Sequence, residues 1–65
     1  MKKYCAIFPL KWGDEARRTY DKKGIAIREA KKHLNACRHF ERVFAEVWEV
    51  DLVKRTQNLI WEGEK

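Results

Sequence analysis

Long apolar runs, cysteine, proline and glycine are all scarce in this chain, and each scarcity excludes something. No segment approaches the ~20 consecutive apolar residues of a membrane-spanning helix, so no membrane partner is expected. The two cysteines, Cys5 and Cys37, are too few for the disulfide scaffold that holds many small secreted domains. A single bridge between them stays open at this level. One proline and three glycines interrupt 65 residues, with no linker, low-complexity tract or internal repeat. Residues 1–65 therefore read as one domain. A chain of this length buries only roughly 60% of the surface its unfolded form exposes, so a thin core is expected. The opening Met1-Lys2-Lys3 and the run Tyr4 to Leu10 have the outline of a secretion signal. Pro9 interrupts that run, Lys11 ends it, and no small-residue cleavage pattern follows. The expected location is the cytoplasm.

What is present is apolar enough to fold: 45% hydrophobic residues, with three Trp, two Tyr and three Phe, lie well outside the composition of disordered tails. The net charge is +5, unevenly spread. Residues 1–40 hold eleven Lys or Arg against four Asp or Glu, whereas residues 41–65 hold four against six. One basic and one mildly acidic surface follow from that split.

Periodicity gives the elements. From Lys3 to Leu10, Tyr4, Ala6 and Phe8 alternate with Cys5 and Ile7, the spacing of a strand that ends at Pro9. Trp12-Gly13-Asp14 is a turn signal. Arg17 to Tyr20 reads as a short returning strand, with a helical turn over Asp14 to Arg17 as the alternative. Asp21 is a suitable N-cap. Beyond it Ala26/Ile27, Ala30, Leu34 and Cys37 form an apolar stripe at helical spacing, placing a helix at about residues 22–38. Arg42 to Leu52 carries the strongest strand signal. Its alternation is imperfect, because Val43, Ala45 and Val47 share one face while Trp48, Val50 and Leu52 share the other. A bulge near residue 47 reconciles the two sets. Lys54 to Asn58 connects to a last strand at Leu59-Ile60-Trp61. The expected fold is α+β: one helix packed on a three- to four-stranded antiparallel sheet, in the order β(β)αββ.

One helix covers only one face of such a sheet. Phe44, Trp48 and Trp61 are candidates for aromatic surface on the other face, beside Glu46, Glu49 and Glu62, and thus for a protein-binding or self-association surface. The simpler reading is that the tryptophans close the core. The helix offers a second surface, since Arg28, Lys31, Lys32 and Arg38 form a basic face suited to phosphates, with Lys22, Lys23 and Arg42 nearby. The simpler reading there is a solvated face. His33 and Cys37, four apart on the helix, could reach one metal ion with Cys5 or His39. A cysteine–histidine pair could also form a nucleophile and base. The absence of paired ligand spacings and of a fixed third catalytic member argues against both, as does a chain too short for a water-excluding cleft. No catalytic residue, metal or cofactor is therefore expected.

The segments Tyr20 to Ala30, Phe40-Glu41-Arg42-Val43, Glu46 to Leu52 and Leu59-Ile60-Trp61-Glu62-Gly63 together show an aromatic strand end, a capped helix with alanines four apart, and a hairpin ending near Trp-Glu. In this pattern the chain resembles small phage and prophage accessory proteins of β-α-β-β type, among them host-takeover and anti-CRISPR proteins. It departs from them in having Gly24 in the first helical turn and no glycine in the hairpin turn. The resemblance implies an inhibitor-like protein that attaches to a host protein complex without catalysis. It carries over no functional residue, because the shared positions are structural. Nucleic-acid binding through the basic helix face is the alternative expectation.

Overall fold

The computed structural model describes residues 1–65 and contains four strands and one helix: β1 (Lys2–Pro9), β2 (Glu15–Tyr20), α1 (Lys23–Ala36), β3 (Phe44–Asp51) and β4 (Thr56–Glu64). The strands form a single sheet in the order β2-β1-β3-β4, and every neighbouring pair is antiparallel. The fold is thus the expected α+β arrangement, with all four strands present. The short return at Arg17 to Tyr20 is a full edge strand that begins at Glu15. Because β2 and β3 both oppose β1, they run parallel to each other. Parallel strands require a crossover, and α1 supplies it, packing mainly over β1 and β3.

The core lies between α1 and the two central strands. Ala6, Phe8, Ala26, Ala30, Leu34, Ala45 and Val47 form one buried cluster, and Cys37 is buried beside the helix end. Four of these seven are alanines, which allow helix and sheet to approach closely but bury little area each. Phe8 supplies the largest fully buried side chain. The His33 imidazole stacks on its ring, with centroids 4.3 Å apart and planes inclined by 10°. Tyr4, Tyr20, Ile27, Val43, Ile60 and Trp61 close the rim.

The helix runs from Lys23 to Ala36, close to the expected 22–38, but its N-cap is Lys22 instead of Asp21, with no side-chain cap bond. Asp21 is drawn away by Lys3, with which it forms an ion pair. At the other end the Lys65 ammonium donates to the carbonyls of Asn35 (2.9 Å) and Cys37, placing a cation on the negative end of the helix dipole. The register shifts between Val47 and Trp48, where a bulge is expected: Val47 faces Trp61, whereas Trp48 faces Leu59. The extra residue is Ile60, so the bulge lies in β4 and β3 keeps strict alternation.

The β3–β4 connection turns without glycine. Asp51 Oδ1 accepts from the amides of Val53 (3.0 Å) and Lys54 (3.1 Å), and Arg55 takes the left-handed conformation at φ 57°. The bond from the Lys54 amide holds the Asp51 carboxyl below its ordinary value, and Lys3 does the same for Asp21.

Two expectations follow. Phe8→Ala should cost about 3–5 kcal/mol, against a total of roughly 3–10 kcal/mol for a domain of this size. Chemical denaturation should then show a strongly lowered midpoint, and near-native stability would displace Phe8 from the centre of the core. Both lowered carboxylates stabilise the folded state when ionised. Their contribution is complete above pH about 4 and is lost as pH falls through the lowered folded-state values. The melting temperature should fall on acidification below pH about 4, and Asp51→Ala should shrink that fall while lowering the neutral-pH value.

Candidate functional surfaces

The outer side of α1 is cationic because its inner side must be small and apolar. With Ala26, Ala30 and Leu34 turned to the sheet, helical geometry sends Arg28, Lys31, Lys32 and Asn35 to solvent, where all four are exposed. Lys22 and Lys23 extend this surface at the helix start. Arg18 extends it from β2, where its register opposite Ala6 puts it on the helix side. Only Lys2, Lys3 and Arg42 among the Lys and Arg residues have a carboxylate within ion-pair distance, through Glu49 (3.4 Å), Asp21 and Glu64 respectively. The only acid on α1, Glu29, lies 3.8 Å from His33. The cations of this face are therefore not neutralised by their own chain.

Arg38 lies beyond the helix end, and its amide donates to the Lys11 carbonyl at 2.7 Å, tying the β1–β2 turn to the α1–β3 connection. The same junction is tightened at Gly13, which has φ 94°; a Cβ there would lie 2.5 Å from His39 Cδ2. Side chains larger than hydrogen are excluded by the imidazole as well as by the left-handed backbone. These two loops carry the most exposed aromatics of the protein, Phe40 at 98% and Trp12 at 63%, next to Phe44 at 59% at the start of β3. Lys11 Nζ lies 5.9 Å from the centre of the Trp12 ring. From sequence, Trp12 and Phe40 read only as parts of connections, which hides them as surface. The available signal is their size in otherwise polar turns.

The second surface is the sheet face that α1 leaves uncovered. Register places Cys5, Ile7, Trp48 and Val50 there from the central strands, with Arg17 and Thr19 from β2 and Gln57, Leu59 and Glu62 from β4. A shallow cavity of ≈350 Å³ lies over Cys5, Ile7, Trp48 and Val50 between Arg17 and Glu46. Phe44 and Trp48 are on this face, as expected. Trp61 is not: it faces Val47 and packs against the core on the helix side. A Cβ added to Gly63 would lie 2.7 Å from Trp61 Cη2 and 3.2 Å from Leu34 Cδ2, so the indole covers that glycine. The bulge at Ile60 is the physical reason, since it turns Trp61 inward while leaving Leu59 beside Trp48.

Cys37 is buried on the helix side and Cys5 sits on the open face, so the sheet separates the two free thiols. His33 stacks on Phe8 and His39 packs against Gly13. No three His, Cys, Asp or Glu side chains come together as metal ligands. No helix is long and apolar enough to cross a membrane. Compared with protein-family models, curated proteins and solved structures, the chain matches none of them.

The two tryptophans should separate in denaturation experiments. Trp61→Ala removes an indole packed on the core and should cost about 2–4 kcal/mol, near the lower part of the aromatic-to-alanine range. Trp48→Ala on the open face should cost clearly less. Equal losses would place both rings in the core.

Proposed function

We propose that this chain is a non-enzymatic nucleic-acid-binding module that lays the outer face of α1 along a phosphate backbone. The observation that carries this reading is the set of exposed cations Arg28, Lys31 and Lys32, with Lys22, Lys23, Arg18 and Arg38 around them, none paired with a carboxylate. Cations left free by their own chain release counterions from a polyanion at no cost in broken ion pairs, which is the main source of affinity for phosphates. A sequence pI of about 9.5 fits the same reading. Arg38 links the cationic helix to the loop end, where Trp12 and Phe40 offer rings on which bases stack.

A second reading has its own observation. Phe44 is 59% exposed and lies on the same open sheet face as Trp48, which suits a protein contact of the kind made by accessory proteins that occlude a host complex. With Trp61 committed to the core, that surface has two of the three anchors read from the sequence.

Binding to labelled single- and double-stranded oligonucleotides, followed by anisotropy across a salt series, tests the first reading. Affinity should fall steeply with salt. Lys31→Glu with Lys32→Glu should weaken binding by about tenfold or more, and should reduce the salt slope by about 1 for each phosphate no longer neutralised. Binding that is absent at low salt or indifferent to these reversals sinks it. A stoichiometric protein captured from lysate after nuclease treatment, and lost on Phe44→Ala or Trp48→Ala, would favour the second reading.

A further inference from the structure

The open sheet face carries opposite charges that are left unpaired within one chain. Arg17, Ile7, Glu46 and Glu62 form a single cross-strand row from β2 to β4. Glu46 and Glu62 are direct neighbours, an arrangement of like charges that destabilises a sheet. Neither has a cation within ion-pair distance, and Arg17 has no carboxylate. Three strand spacings of about 4.8 Å put Arg17 about 14 Å from Glu62. In the adjoining row, Cys5 faces Trp48 and Trp48 faces Leu59, so apolar surface lies beside the charged row.

We propose that a second copy of this chain covers this face, related to the first by a twofold axis parallel to the strands. That rotation reverses the strand order, laying β2 of each copy over β4 of the other and β1 over β3. The charged row then lies on its own reversed image. Arg17 of each copy meets Glu62 of the other, placing a cation beside the crowded glutamates, and Cys5 of each copy covers Trp48 of the other. The alternative twofold, across the strands, stacks β4 on β4 and brings Glu62 toward its own image, a like-charge contact. Aligned sheets packed in this way lie about 10 Å apart with strands within about 30° of each other. Four strands of some eight residues present a face of roughly 19 by 26 Å. Two such faces together come to about 1,000 Å², where specific interfaces begin. The product is a four-layer α-β-β-α dimer with both cationic helices outward. The interface is independent of the nucleic-acid reading and leaves its residues free.

Sedimentation equilibrium of the protein alone, in nuclease-treated preparations over a wide concentration range, tests this. A monomer–dimer equilibrium weakened by salt is expected. Arg17→Glu and Glu62→Arg should each weaken the dimer by about tenfold or more, with circular dichroism unchanged because both side chains are exposed. The double variant R17E/E62R should restore association, a rescue that the single-chain geometry cannot supply. Acrylamide quenching of Trp48, measured in a variant with Trp12→Phe and Trp61→Phe, should fall as the dimer forms. A chain that stays monomeric at every concentration overturns the proposal and leaves the face to a different protein. Single reversals without effect, or a double variant that fails to recover, overturn the twofold along the strands.

Discussion

Everything in this small domain depends on the close approach of α1 to the central strands around Phe8. Ala26 and Ala30 from the helix meet Ala6 and Ala45 from the sheet, and only residues without long side chains permit that distance. The interface is dense but poor in buried area, so Phe8 and Val47 supply much of the large apolar volume. The rest comes from the rim, where Tyr4, Tyr20 and Trp61 cover the cluster from the side and His33 caps the Phe8 ring. A core of this kind has little reserve, and the rim aromatics are committed to it.

That commitment decides which surfaces are free to act. The inner stripe of α1 uses its small residues, and the outer side is left to Arg28, Lys31 and Lys32. Lys22 and Lys23 even oppose the helix dipole at its positive end, where no acidic residue offsets them. Helix stability alone does not favour that placement. On the open sheet face the charges divide across the strands, Arg17 toward β2 and Glu46 with Glu62 toward β3 and β4. The imbalance between the two halves of the chain thus becomes a separation in space: the crossover carries the basic first half over the helix layer and the β2 edge, while the acidic hairpin occupies the other edge.

Much of this is legible in the sequence. Alternation through Tyr4, Ala6 and Phe8 identifies the inward face of β1, and the spacing of Ala26, Ala30 and Leu34 identifies the inward face of α1. The exposure of Arg28, Lys31 and Lys32 follows from the same helical period. Asp21 is misread as the cap because capping chemistry looks only at neighbours in sequence, and Lys3 lies on β1, far off along the chain. Trp61 falls with Trp48 in the sequence pattern because the pattern of one strand does not say which partner carries the extra residue of a bulge, and here it is Ile60 of β4. Trp12 and Phe40 read as punctuation, since nothing local indicates that Arg38 ties their loops into one end of the molecule.

By itself the sequence determined the helix and three of the strands, the inward stripes of β1 and α1, and the sign of the charge along the chain. These are properties of backbone geometry and composition over a few residues, where side-chain direction repeats every 2 or 3.6 positions. Only the tertiary structure decided that β1 lies at the centre, that Ile60 shifts the register and turns Trp61 to the core, and that Cys5 and Cys37 stand on opposite sides of the sheet. Those outcomes are set by pairing between segments far apart in sequence, and a shift of one residue in that pairing sends a side chain to the other face.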